Sequence, residues 1–87
     1  MNDFTFTPES WEDYLYWQTQ DRKIIKRINE LLKDIRRNGA MKGIGKPEAL
    51  KYRPGYSRRI DEQNRLVYDV DENQNIKIIS CRGHYCD

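Results

Sequence analysis

Ile24, Ile25, Ile28, Leu31, Leu32 and Ile35 recur at helical spacing, so one helix carries six aliphatic side chains on a single stripe. A stripe of that width has to be covered by another layer. Leu, Ile, Val and Phe number only 18 of the 87 residues, too few to build that layer from aliphatics alone, so the ten aromatics must enter the core. A chain of 87 residues also has no room for a second core, which makes residues 1–87 one domain.

The covering layer reads as a sheet. Tyr56 to Ile60, Arg65 to Val70 and Ile76 to Cys81 have strand character and are separated by the polar turns Asp61 to Asn64 and Asp71 to Asn75, which predicts a three-stranded meander. Ahead of the helix, Phe4-Thr5-Phe6 alternates at strand period, and Thr7-Pro8-Glu9 reads as N-cap, first-turn proline and first-turn acid. The helix that follows shows Trp11, Tyr14, Leu15 and Gln18 on one face. A short turn at Thr19-Gln20 and a cap at Asp21 then lead into the striped helix, which stops at Asn38-Gly39 with glycine as a left-handed C-cap. The expected order is β-α-α-β-β-β, an α+β domain with a helical hairpin on one face of a small, mainly antiparallel sheet and the first strand at an edge. Alternation in the middle strand sends Leu66, Tyr68 and Val70 towards the helices and Arg65, Val67 and Asp69 to the open face. Residues 39–55 hold four of the five glycines and two of the three prolines and form a loop or a broken strand, a length that usually carries function.

Several classes are excluded. The longest apolar run, Tyr14 to Trp17, is far below the roughly 18 residues of a membrane span. The acidic start Met1-Asn2-Asp3 is unlike a signal peptide, which sets a cytoplasmic expectation and makes thiols of Cys81 and Cys86. Nucleotide-loop, dinucleotide and zinc-protease motifs do not occur.

Charge is polarised along the chain. Residues 1–21 carry five acids and no Lys or Arg, whereas residues 22–65 carry fourteen bases against five acids. The basic stretch, expected largely on one side of the domain, suits a polyanion. On the second helix the bases near Glu30 and Asp34 read as a solvated face; Arg58, Arg59 and Arg65 lie among strand residues, where that explanation is weaker.

Three residues could carry chemistry together. His84 is the single histidine and suits a proton donor, although a histidine beyond the last strand is by default a surface residue. Cys81, His84 and Cys86 spell C-x2-H-x-C, but a structural zinc needs four ligands and no fourth is spaced to join them, so no metal is expected. RNA cleavage through the 2′-hydroxyl needs a base, a cation for the phosphorane and an acid for the leaving 5′-oxygen, roles that Glu48, Arg65 and His84 would fill without a cofactor. By spacing alone Glu48, in a Gly/Pro loop, is more often a solvated carboxylate, and Glu62, in the turn before Arg65, is a rival base.

Glu9-Ser10-Trp11-Glu12-Asp13-Tyr14-Leu15-Tyr16-Trp17, Lys26 to Arg37, Gly45-Lys46-Pro47-Glu48, Ser57-Arg58-Arg59-Ile60, Asn64-Arg65-Leu66-Val67-Tyr68 and His84-Tyr85 together resemble the YoeB toxins of the RelE superfamily. The resemblance implies a microbial-RNase-like fold and a metal-independent endoribonuclease that cuts mRNA in the decoding site of the 70S ribosome. It further implies a YefM-like antitoxin as partner, operator DNA bound only through that antitoxin, no membrane, and room for a homodimer. Residue by residue, Glu48 matches the family's general base, Arg65 its transition-state arginine, His84 its general acid and Tyr85 its terminal aromatic, with Lys51, Arg58 and Arg59 as RNA-binding bases. Ala49 and Tyr56 depart from the usual pattern, the loop before Ser57 is about two residues short, and Cys86-Asp87 extend the tail. The rival from another class is a non-catalytic basic module that binds RNA, ribosomes or an antitoxin.

Overall fold

Thr7 turns the chain from strand into helix. Its hydroxyl accepts from the Ser10 amide at 3.1 Å while Pro8 occupies the first helical position, so β1 (Phe4–Phe6) runs directly into α1 (Pro8–Gln20). These elements belong to a computed structural model that describes residues 3–83. Only Asp21 separates α1 from α2 (Arg22–Asn38): its carboxylate accepts from the amides of Lys23 and Ile24, and its own amide donates to Trp17. The turn expected at Thr19-Gln20 is therefore helix, and one residue both ends α1 and starts α2. At the far end Gly39 has φ +91° and ψ −176°, a positive-φ conformation that favours glycine but is not the left-handed helical cap expected, while its amide still bonds Ile35.

Five strands form one sheet in the order β1-β5-β4-β3-β2, completed by β2 (Glu48–Ala49), β3 (Tyr56–Arg59), β4 (Arg65–Val70) and β5 (Ile76–Ser80). The meander β3-β4-β5 is antiparallel, and β1 lies at one edge, parallel to β5. The other edge, β2, comes from the segment expected to be a loop or broken strand; it is two residues long and pairs antiparallel with β3.

The helices pack on one face of this sheet. Ile24, Ile28, Leu31, Leu32 and Ile35 from α2 join Leu66, Tyr68, Ile76 and Ile78 in the core, whereas Ile25, the sixth residue of the expected stripe, is half-buried outside that cluster. Tyr14, Trp17 and Tyr56 pack against them, which is the aromatic contribution that the short supply of aliphatics demanded. The inner row of α1 differs from expectation. It is Ser10, Tyr14 and Trp17, while Trp11 remains 46% exposed. Ser10 is fully covered because its hydroxyl donates to the Ile78 carbonyl at 2.8 Å, and a small side chain lets α1 approach the β5 backbone that closely.

Candidate functional site

Register decides what the open face displays. Opposed residues of an antiparallel pair point the same way, and Glu48 opposes Ser57, which opposes Val67. Two residues along, Arg59 opposes Arg65. Glu48, Ser57, Arg59, Arg65 and Val67 thus share the face away from the helices, gathered from three strands.

On that face Arg65 lies 3.8 Å from Glu48, measured Nη2 to Oε2. The guanidinium is oriented by Ser57, whose hydroxyl oxygen accepts from Nε at 3.2 Å and from Nη2 at 3.0 Å. The Arg65 side chain is only 16% exposed and Glu48 is 68% exposed, so the cation is held and the carboxylate is free to move. An ion pair with one partner in water is worth about 0–1 kcal/mol. An arriving phosphate could displace the carboxylate at little cost.

The start of β4 also receives the chain's last described residues. The Arg65 amide donates to the Gly83 carbonyl at 3.1 Å, and the Gly83 amide donates to Asn64 Oδ1 at 2.7 Å. Asn64 is buried and is itself held by Asp61, whose carboxylate accepts from the Asn64 amide and side chain. The residue preceding His84 is therefore tied beside Arg65. His84 and Tyr85, named above as acid and terminal aromatic, lie outside the described residues.

Cys81 is fully buried, with its amide donating to Asp13 and its carbonyl accepting from Trp17 Nε1. Burial pushes its thiol up to about 12, and the nearby Asp13 charge adds to the rise. Among the described residues no cluster of three His, Cys, Asp or Glu could hold a metal ion; His84 and Cys86 of the C-x2-H-x-C pattern lie outside them.

The RNA-binding positions divide. Arg59 and Lys51 are exposed, the latter just past the end of β2. Arg58 is fully buried. It faces the helices with Tyr68, and its guanidinium meets the Asp34 carboxylate inside the domain, so it offers no surface to a phosphate. Strand alternation is the physical reason: adjacent residues of β3 point to opposite faces, and Arg59 has the open one. The basic stretch is split in the same way. Seven of its fourteen bases belong to α2, on the helical side, and do not share the face of Arg59 and Arg65. There Arg22, Lys26 and Lys33 line a separate groove of about 500 Å³ with Gln18, Ile25 and Asn29.

Two contributors went unnoticed in the sequence. Ser57 sits next to two arginines and shares a face with Arg65 only once the β3-β4 register is known; period-2 alternation was its one available signal. Asn64 stands directly before Arg65, but its bond to Gly83 spans nineteen positions.

A family model described as the YoeB-like toxin of bacterial type II toxin-antitoxin systems matches residues 6–85. The chain belongs to the YoeB toxin family. It is 51% identical over 82 residues to Toxin YoeB of Escherichia coli K12, covering 92% of this chain and 95% of that one. It is 52% identical over 83 residues to Toxin YoeB of Streptomyces coelicolor, covering 93% and 96%. Among solved structures, the YoeB dimer from Staphylococcus aureus superposes with a TM-score of 0.90 at 56% identity, covering 97% of this chain and 98% of that one. The YoeB-YefM complex from the same organism gives 0.88 at 55% identity over 98% and 99%. The α+β class expected from the sequence, with one strand more than the expected order, is thus the architecture of this toxin family. Among the described residues no helix is long and apolar enough to cross a membrane.

Proposed function

We propose that this YoeB-family toxin is a metal-independent endoribonuclease that cuts mRNA in the ribosomal decoding site. The observation that carries the reading is the Glu48 carboxylate 3.8 Å from an Arg65 guanidinium that Ser57 holds in place on the sheet face away from the helices. Glu48 takes the proton from the 2′-hydroxyl, whose oxygen attacks the adjacent phosphorus. Arg65 stabilises the charge that builds on the phosphorane. The P–O5′ bond breaks, His84 protonates the departing oxygen, and the products are a 2′,3′-cyclic phosphate and a 5′-hydroxyl. Because the nucleophile belongs to the substrate, no metal is needed to generate one. Lys51 and Arg59 contribute positive charge near the scissile phosphate, and Tyr85 supplies an aromatic surface beside it.

The same face, which carries Arg59 and Arg65, suits an acidic antitoxin segment of the YefM type that folds across it and masks these two arginines. Operator DNA would be reached through that antitoxin, the working compartment would be the cytoplasm, and the dimer solved for the staphylococcal relative makes a homodimer part of the proposal.

Single-turnover cleavage on mRNA-programmed ribosomes tests the roles. Glu48→Gln and His84→Gln are each expected to slow cleavage by about 10² to 10⁴. A loss under about threefold in either removes that residue from the mechanism. Ribosome binding by the wild-type protein with no cleavage would favour the non-catalytic rival.

A further inference from the structure

Arg58 fills every donor position of its guanidinium inside the domain. Nε donates to Tyr68 Oη at 2.9 Å, Nη1 to Asp34 Oδ2 at 2.5 Å and the Ile44 carbonyl at 3.0 Å, and Nη2 to the carbonyls of Gly39 and Lys42, both at 2.8 Å. Five N–H groups meet five acceptors, the full capacity of an arginine. Tyr68 passes the contact on by donating to the Ala40 carbonyl at 2.6 Å. Asp34 closes the circuit by accepting the Ile44 amide at 3.0 Å. Four carbonyls of a six-residue stretch, Gly39 to Ile44, are therefore gathered on one core hub.

The stretch is shaped for that hub. Gly43 has φ +117°, and a Cβ there would overlap the Asp34 carboxylate. Gly45 has φ +82°, and a Cβ there would press on Leu31 of α2. The Gly45 carbonyl then accepts the Arg59 amide at 2.7 Å, which lays the loop against the end of β3. Three residues later comes Glu48, in a strand of only two residues that has little hold of its own.

We infer that Arg58 is a positioning residue for Glu48: its guanidinium locks the 39–45 loop, and the locked loop delivers the carboxylate opposite Arg65. The inference rests on the catalytic reading above, and it gives Arg58 a role at the site without contact with RNA. It also accounts for two adjacent arginines of β3 that act on opposite faces of the sheet. Lysine has three donors on a flexible stem and cannot serve five acceptors in a fixed plane. Small displacements of a reacting group are enough to cost about 10²-fold.

The test is a double-mutant cycle between Arg58→Lys and Glu48→Gln, read by single-turnover cleavage on programmed ribosomes. Arg58→Lys alone is expected to lower the maximal single-turnover rate about 10- to 100-fold with the half-saturating concentration changed less than about threefold. In the Glu48→Gln background the same change is expected to cost less than about threefold, because there is no base left to misplace. A general loss of folded protein would slow both backgrounds equally, and that result overturns the inference. If Glu48→Gln alone leaves the rate intact, the catalytic reading fails instead. Asp34→Asn keeps the size and one acceptor oxygen and carries the same cycle if Arg58→Lys does not fold. It is expected to lose about threefold to tenfold in the Glu48 background only, and an unchanged rate there also overturns the inference.

Discussion

Replacing Arg58 with methionine should be among the most damaging single changes in this chain, and its cost can be worked from the contacts. Of the five acceptors, Lys42 and Ile44 lie on exposed residues and Gly39 on a partly exposed one, so water can restore much of what those carbonyls lose. Tyr68 is fully buried and Asp34 is mostly covered, so their losses stand. Each is a hydrogen bond with a charged partner, worth about 1.5–3 kcal/mol, for about 3–6 kcal/mol together. Breaking a buried ion pair from one side costs about 3–5 kcal/mol, which narrows the range. A domain of 87 residues has a total stability of about 4–13 kcal/mol, so the variant would retain a fraction of it. Urea unfolding at neutral pH reads the difference directly, and the matching fall in Tm is at least about 12 °C. Arg59→Met makes the same chemical change one residue along on the exposed face and should cost no more than about 0.5 kcal/mol. Arg58→Met within about 1 kcal/mol of wild type, or Arg59→Met as damaging as Arg58→Met, would refute the assignment of the two faces.

Desolvation alone would raise the Asp34 carboxyl, but hydrogen bonds from Arg58, the Ile44 amide and Asn38, with the Arg58 charge, outweigh it and hold the group below its ordinary range. A lowered native value contributes stability that is full above the ordinary carboxylate pKa of about 4 and drains away as pH falls through the native value, so wild-type Tm should drop more steeply than that of Asp34→Asn below about pH 4. Cys81, pushed up to about 12 chiefly by burial, should react with iodoacetamide at pH 8 at least about 100-fold more slowly in the folded than in the urea-unfolded Cys86→Ser protein. Ser57→Ala removes the acceptor that fixes Arg65 and should lower single-turnover cleavage about tenfold with melting temperature nearly unchanged; an unaltered rate would separate Ser57 from the site.

Local rules made most of the fold legible. The Thr7-Pro8 and Asp21 caps, the aliphatic stripe of α2 apart from Ile25 and the inward row of β4 each follow from chemistry within a few residues, whereas Val67, on the face away from the helices, is buried. What the sequence did not reveal depends on register between distant segments. Arg58 and Arg59 are chemically identical neighbours, and only the pairing of β3 with β4 and the proximity of Asp34 decide which one is buried. The two residues of β2 are too short a run for any periodicity to show. No local pattern sets Ser10 apart from other helix residues; the approach of β5 makes its hydroxyl the contact point. At the site, the roles of Glu48 and Arg65 rested on residue type and family resemblance, while their 3.8 Å separation and the Ser57 bridge exist only in three dimensions.

The claim that most needs a direct test is the chemistry itself. Wild-type protein should be incubated with mRNA-programmed ribosomes that have first been assembled and washed, and the ends of the cleaved message analysed chemically. To separate the role of metal, the protein alone is dialysed against EDTA beforehand and its cleavage rate compared with that of undialysed protein. Attack by the 2′-hydroxyl predicts a 2′,3′-cyclic phosphate on the upstream fragment, a 5′-hydroxyl on the downstream fragment and an unchanged rate after dialysis. A 3′-hydroxyl with a 5′-phosphate, or loss of cleavage restored by adding back a divalent ion, would contradict the roles given to Glu48, Arg65 and His84.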